Sequence, residues 1–217
     1  MIEIQNLKKI YGERTVLNIP SLRFENGSST VLAGANGSGK TTLIKILAGT
    51  LKATDGNLTL PQKIRYLPQQ SYAFRGNLIK NITLTGADEN TALRLLETME
   101  LAHLKEKKAS SLSGGELQRL ALCRVLAQKC DLLLLDEPTS ACDAKGTEIV
   151  LNAVKAYRAK NDCTLIMSTH SPLLATAGGE RLIILGDGEI AADGEPKEVL
   201  THPESDWAKS FITGWKI

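Results

Sequence analysis

Gly34-Ala35-Asn36-Gly37-Ser38-Gly39-Lys40-Thr41-Thr42 fits the pattern G-x-x-x-x-G-K-[ST] and stands between two segments of different periodicity. Upstream, Ser29–Ala33 reads Ser-Thr-Val-Leu-Ala, short and β-prone; downstream, Leu43, Ile44, Ile46, Leu47 and Leu51 recur at helical spacing. A strand, a glycine-rich turn and a helix in that order direct consecutive backbone N–H groups and a helix N-terminus at one small concavity, which suits phosphate. The glycines let backbone approach where a Cβ would collide. Lys40 is placed to reach β- and γ-phosphates, and Thr41 to offer its hydroxyl to Mg²⁺. By itself the stretch predicts an NTPase or a kinase.

The rest of the composition fits one α/β domain. At 217 residues and 42% hydrophobic content the chain can bury a sizeable core. Its net charge of +2 is near balance, and the Lys-Lys and Lys-Glu-Lys-Lys runs read as solvated faces, so no nucleic-acid partner is expected. No apolar run approaches the roughly 18 residues a membrane span needs, and Met1-Ile2-Glu3-Ile4-Gln5 lacks the basic-then-apolar plan of a signal peptide. A cytosolic protein is expected. Cys123, Cys130, Cys142 and Cys163 form no Cys-x-x-Cys pair and read as buried or idle thiols.

Residues 1–33 alternate as half-buried strands at Ile2/Ile4, Val16/Leu17 and Leu22/Phe24, with turn signals at Tyr11-Gly12 and Glu25-Asn26-Gly27, which predicts an antiparallel β layer. Tyr11 sits at a turn, where its ring either stacks on a base or packs the turn. After the glycine-rich loop and its helix, residues 53–57 read as a turn, and 58–60 and 64–67 as strands. Pro68-Gln69-Gln70 then breaks the pattern at a strand's C-terminal end. Ligands gather outside such ends in parallel sheets, so Gln69 is a candidate to face Mg²⁺ or an attacking water, the alternative being an ordinary loop glutamine. Residues 71–111 read mainly as helix, with a short helix in 77–84 and a longer one beginning near Asp88. Tyr72, Phe74 and Arg75 form either local packing or a docking surface.

In Leu112-Ser113-Gly114-Gly115-Glu116-Leu117-Gln118-Arg119, Ser113 and Glu116 make the S-x-x-E capping box of a helix start. Two glycines in a first turn weaken a helix by roughly 1 kcal/mol each relative to alanine. Close approach of an anion to Ser113, Gly114 and Gly115 would account for them, implying a second phosphate site. One triphosphate does not ordinarily need two helix N-termini from one chain. A twofold pairing in which Ser113–Gly115 of one chain closes over the nucleotide of another solves the geometry.

Asp131-Leu132-Leu133-Leu134-Leu135-Asp136-Glu137-Pro138-Thr139 is an apolar run ending in two acids, as in a strand buried on both faces. Asp136 is expected to hold the Mg²⁺ shell and Glu137 to take a proton from the attacking water. A helix follows through Ile149, Val150, Ala153, Val154 and Tyr157. The strand 164–167 then leads to Ser168-Thr169-His170, whose histidine falls on the same sheet edge and can touch a γ-phosphate. Strands at 182–185 and 189–192 flank the hairpin signal Gly186-Asp187-Gly188, and helices are expected at 197–200 and 206–212, where Trp207 and Trp215 pack a terminal helix.

With these residues in hand, the chain resembles the ATP-binding cassette (ABC) ATPases from about residue 1 to 194, with every family motif in its expected order. The resemblance makes Tyr11 the adenine-stacking A-loop residue, Gly34 to Thr42 the Walker A loop and Gln69 the Q-loop residue. Leu112 to Gln118 become the signature, Asp136 with Glu137 the end of Walker B, Ser140 to Asp143 the D-loop and His170 the switch histidine. Cys142 departs from the leucine common in the D-loop, and Ser171 from the aspartate frequent after the histidine; neither removes a catalytic group.

The fold implied is a P-loop NTPase (RecA-like) core with a mainly parallel sheet, an N-terminal antiparallel β layer and an inserted helical subdomain over about 71–127, all one ABC ATPase domain over 1–217. The resemblance further implies ATP and Mg²⁺ as cofactors and ATP hydrolysis through Glu137, His170 and Gln69. It implies a homodimer around two ATPs that drives separate transmembrane permease subunits from the inner face of the membrane. Pro68-Gln69 with Ala73-Phe74-Arg75-Gly76-Asn77, and the Leu-Ala-Thr-Ala stretch after Ser171-Pro172, look like small prokaryotic importer cassettes, which implies a solute-binding protein behind the permease. The likeness extends to cassettes for inorganic oxyanions such as tungstate. An exporter cassette and a soluble ABC ATPase are the alternatives. The soluble type usually has two cassettes in one chain or a long coiled-coil insertion, and neither is present here.

Overall fold

A computed structural model describes residues 1–215. The chain divides into two compact units, one made of residues 1–64, 131–136 and those from 163 on, the other of 65–130 and 137–162. The first unit contains two sheets. In its smaller sheet, β1 (Ile2–Tyr11) is flanked by β2 (Arg14–Phe24) and β4 (Asp55–Thr59), both antiparallel to it. Ile2, Ile4, Leu7, Leu17, Ile19, Leu22 and Phe24 turn the buried face inward.

Val16/Leu17 and Leu22/Phe24 therefore belong to one strand. Pro20 interrupts it without breaking it because β2 is an edge strand, where a missing N–H costs no ladder bond, and the pairing passes from Gln5↔Ser21 to Leu7↔Ile19. Residues 55–57, expected in a turn, open β4 instead. Gly56 explains the strand's fit: at φ 100° its missing Cβ would lie 2.5 Å from the Asn6 carbonyl oxygen of the neighbouring strand.

The larger sheet sets β6 (Leu132–Asp136), β7 (Thr164–Ser168), β3 (Ser29–Ala33) and β8 (Arg181–Gly186) side by side and parallel, with β9 (Glu189–Gly194) antiparallel at the end. The strands β3, β6 and β7 are buried at every position, as their unbroken apolar runs require of strands covered on both faces. Asp187 and Gly188, both with positive φ, make the two-residue turn between β8 and β9. Helix α1 (Lys40–Leu47) packs on β6 and β7 through Leu43, Ile44, Ile46 and Leu47. The later helices α6 (Pro172–Ala177), α7 (Pro196–Thr201) and α8 (Asp206–Gly214) lie on β3, on β8/β9 and on β8/β9 respectively. In α8, Trp207 stacks on Phe211 and covers Gly186, where a Cβ would meet the indole at 2.4 Å.

Apart from the end of β5 (Ile64–Leu67), the second unit is helical: α2 (Leu78–Thr83), α3 (Glu89–Thr98), α4 (Gly114–Leu126) and α5 (Ala144–Lys160). α4 is its hub, touching α2, α3 and α5 and burying Leu120, Leu122 and Val125. Each such side chain contributes about 1.5–3 kcal/mol on leaving water. The helix starts were legible because each has a polar cap: Asn77, Asp88 and Asp143 accept from Lys80, Thr91 and Gly146 backbone N–H groups.

Candidate functional site

Strand register brings the first group of site residues together. In the parallel pairings Leu32 lies opposite Ser168, and Ser168 opposite Asp136, so the C-terminal ends of β3, β7 and β6 are level. The chain leaves β3 into Gly34 and returns as α1 at Lys40, which puts the glycine-rich loop at that shared edge. Gly34 has φ 146°, and a Cβ there would sit 2.3 Å from the Leu185 carbonyl oxygen; Gly39 has φ 104°, and its Cβ would sit 2.5 Å from Leu17 Cδ2. Both glycines are therefore demanded by the protein's own backbone and packing, whereas Gly37 (φ 81°) faces open space.

The loop is built for an anion. Gly39 is the N-cap of α1 and makes no side-chain cap, so the first-turn N–H groups lack the side-chain acceptor that caps other helices. Ser38 Oγ is buried and has no hydrogen-bond partner within the protein. Ala35, Asn36 and Gly37 are exposed at the rim, and Thr42 is half-buried in the first turn. Lys40 is 6% exposed, and its Nζ donates to the carbonyls of Gly34 (2.7 Å) and Ala35 (3.0 Å), which folds the ammonium over the loop.

Beside it, Thr41 Oγ1 donates to Asp136 Oδ1 at 3.1 Å, and Ser168 Oγ donates to the same oxygen at 2.6 Å. Asp136 is fully buried. Two hydroxyls and one carboxylate form an all-oxygen set of the kind Mg²⁺ uses when waters and substrate phosphates complete its shell. No cluster of three His, Cys, Asp or Glu side chains exists among the described residues, so a cage built wholly from such side chains is not the alternative here. Thr41 and Asp136 were expected at this place; Ser168 was not singled out. The signal that would have found it is a polar residue ending an apolar strand at the register where Asp136 ends its own.

His170 follows two residues after Ser168 and is exposed. Between them Thr169 is fixed by its N–H to the Leu32 carbonyl and by its hydroxyl, which accepts from Ser171 N–H. Tyr11 ends β1 with half its surface exposed (51%), and Lys9 Nζ stands 4.7 Å from the ring centroid. The ring is accessible at the turn and is not core.

The remaining candidates lie in the second unit. Gln69 is exposed beyond the end of β5. Ser113 is the N-cap of α4 in a complete capping box: its N–H donates to Glu116 Oε2 at 2.7 Å, and its hydroxyl accepts from Glu116 N–H at 3.4 Å. That backbone N–H holds the Glu116 carboxyl below the usual range. The two glycines differ. A Cβ on Gly115 would lie 2.9 Å from the Ala141 carbonyl oxygen, so its absence is required by the neighbouring loop; one on Gly114 would meet Ala141 Cβ at an ordinary 3.6 Å. Packing within the protein therefore accounts for Gly115 and leaves Gly114 without such a reason.

Glu137, 6% exposed, has φ 53°, a left-handed conformation that a long side chain rarely adopts. Its carbonyl accepts from Gln118 Nε2 at 2.7 Å and from Ser140 N–H at 3.2 Å, and Ala141 N–H donates to Gln118 Oε1 at 2.8 Å. Gln118 is 1% exposed and was read only as part of the motif. The cysteines are unremarkable: Cys123, Cys130 and Cys163 are buried, and burial pushes the Cys123 thiol up to about 12.

Comparison with known proteins agrees with this geometry. The family described as ABC transporter matches residues 17–140. The zinc import ATP-binding protein ZnuC of Photobacterium profundum is 34% identical over 209 residues, covering 94% of this chain and 81% of that protein. The tungstate uptake system ATP-binding protein TupC of Peptoclostridium acidaminophilum is 36% identical over 210 residues, covering 89% of this chain and 98% of that protein. Among solved structures, a dimeric post-hydrolysis state of the ATP-binding cassette MJ0796 bound to ADP and Pi superposes with a TM-score of 0.82 at 27% identity, covering 90% of this chain and 99% of that one. A glycine-rich anion loop, a buried strand-end carboxylate and this family match have one common explanation: the chain is an ATP-binding, ATP-hydrolysing cassette and belongs to the ABC transporter family.

Proposed function

We propose that this chain is the energy-coupling subunit of an ABC importer, working as a homodimer that hydrolyses ATP to drive a separate permease from the cytoplasmic side of the membrane. The observation that carries the chemistry is the convergence of Lys40, Thr41, Asp136 and Ser168 at one sheet edge, with Glu137 the next residue in the chain. Loop N–H groups and Lys40 bind the phosphates, Tyr11 stacks on the adenine, and Thr41, Asp136 and Gln69 are the groups that would hold Mg²⁺. Held by these residues, Mg²⁺ would supply positive charge to offset the negative charge that develops on the phosphate oxygens.

Glu137 accepts a proton from water as its oxygen bonds to the γ-phosphorus. The bond from that phosphorus to the bridging oxygen breaks, leaving ADP and inorganic phosphate. His170 contacts the γ-phosphoryl oxygens and Ser113 to Gly115 of the second chain complete the shell. Catalysis then rests on positioning and charge stabilisation.

Import is favoured by the names of the relatives, which are zinc and tungstate uptake components. Their substrates differ in charge and chemistry, so the substrate is selected elsewhere than in the cassette. An oxyanion such as tungstate is one candidate, and a solute-binding protein would deliver it to the permease. No helix among the described residues is long and apolar enough to cross a membrane. The docking surface for a permease is the cleft of about 530 Å³ lined by Tyr72, Phe74, Leu84 and Arg124, with Tyr72, Phe74 and Leu84 exposed around it.

Glu137→Gln tests the chemistry. It should lower turnover about 100-fold or more while ATP accumulates in a dimer seen by gel filtration; turnover near the wild-type rate would remove Glu137 as the base. Co-purification of a permease and a solute-binding protein tests import, and a phosphorylated acceptor in place of free phosphate would point to a kinase.

A further inference from the structure

Gln118 makes three hydrogen bonds, and all of them go to the loop that begins at Glu137. Its Nε2 donates to the Glu137 carbonyl (2.7 Å) and to Ser140 Oγ (3.4 Å), and its Oε1 accepts from Ala141 N–H (2.8 Å). The side chain is 1% exposed and lies 19 and 23 residues from the backbone groups it reaches. The partners also fix which way the amide points, since a carbonyl needs the NH₂ end and an N–H needs the oxygen.

What the amide holds is unusual. Glu137 is buried with φ 53°, and Pro138 follows it, so the next peptide supplies no N–H to steady the bend. A left-handed glutamate persists only when its surroundings over-determine it. Among the determinants here are Ser140 N–H, three residues on, and Gln118, which from a different element, α4, satisfies the Glu137 carbonyl and, four residues on, the Ala141 N–H. Close contact between the two is independent of the amide: Gly115 must lack a Cβ because the Ala141 carbonyl oxygen would stand 2.9 Å from it.

We propose that Gln118 is a positioning residue for hydrolysis, which clamps the loop leaving Glu137, from the Glu137 carbonyl to the Ala141 N–H, and so sets the direction in which the Glu137 carboxylate meets water; the proposal rests on Glu137 being the base. Gln118 is 1% exposed, and its side chain bonds only to this loop. It acts through the conformation of Glu137, and its loss lowers the rate of the chemical step while leaving ATP binding in place.

The test is steady-state ATPase kinetics of the full chain carrying Gln118→Met, which keeps length and bulk but has no N–H donor and no carbonyl acceptor. The expected result is a kcat lower by about 10- to 100-fold with a KM for ATP within about twofold of wild type. An unchanged kcat, or a raised KM at constant kcat, overturns the proposal.

If Gln118→Met does not fold, Gln118→Glu carries the test. A neutral carboxyl offers one donor and one acceptor, as the amide does, whereas an ionised one turns a second acceptor toward the Glu137 carbonyl. The ratio of variant to wild-type kcat should therefore rise as pH falls from about 8.5 to about 6; a ratio that is flat with pH overturns the proposal. Glu137→Gln run alongside separates the two readings. If it is inactive while the Gln118 variants keep full kcat, only the positioning role falls; if it keeps its turnover, the base assignment falls and the positioning role with it.

Discussion

Ser168 and Asp136 end adjacent strands at the same register, and the 2.6 Å bond between them ties a buried carboxylate to a hydroxyl that no motif contains. A hydrogen bond to a charged group contributes about 1.5–3 kcal/mol. Ser168→Ala should therefore lower unfolding free energy by about 2 kcal/mol in urea titration; it should also raise the Mg²⁺ concentration that half-saturates ATPase activity. Equal Mg²⁺ dependence in the two proteins would make Ser168 a structural partner alone. The motif residues could be read from sequence because each motif is contiguous: Gly34 to Thr42 carries its own strand–turn–helix context. Ser168 and Gln118 could not, because their partners are 32 and 19 residues away and only strand register or helix packing reveals them.

At the scale of elements, α4 shows how one start can serve two purposes. Gly114→Ala meets nothing closer than 3.6 Å and should melt at the wild-type temperature within a degree or two while losing ATPase activity, because its cost falls on the ligand. Gly115→Ala runs into the Ala141 carbonyl at 2.9 Å and should lose both stability and activity. Thermal melts beside turnover assays separate the cases; matching melting temperatures for both variants would mean the α4–loop contact yields without cost.

The capping box adds a pH signature. The folded Glu116 carboxyl titrates below its usual range because it accepts the Ser113 N–H. Its stabilisation is then fully present above the unfolded carboxyl value of about 4.3 and disappears as pH falls through the lower, folded value. The stability difference between wild type and Glu116→Gln should thus be constant near neutrality and shrink towards zero in acid. A difference that grows in acid would mean the box holds through the neutral carboxyl. That helix start was legible from S-x-x-E, a local rule. The start of β4 was not, because residues 55–57 look like a turn and become strand only by pairing with β1, a contact set by tertiary structure and permitted by Gly56.

At the scale of the whole molecule, the chain carries two helix N-termini suited to phosphate, one at Gly39 and one at Ser113. If each nucleotide takes the first from one chain and the second from another, neither chain alone has a complete site, and specific activity should rise with protein concentration before reaching a plateau. A mixing experiment is sharper. Lys40→Ala removes the phosphate-binding lysine but keeps the α4 start, while Gly114→Ala keeps the lysine and damages the α4 start. Each should be nearly inactive alone. Mixed in equal amounts, half of the dimers are hybrids, and each hybrid has one intact composite site, made of Lys40 from the Gly114→Ala chain and Gly114 from the Lys40→Ala chain. If the two sites turn over independently, activity should recover to about a quarter of wild type; positive coupling between the sites lowers that figure without abolishing it. No recovery at any ratio would mean that each chain works with its own α4 start, and the twofold arrangement would have to be abandoned.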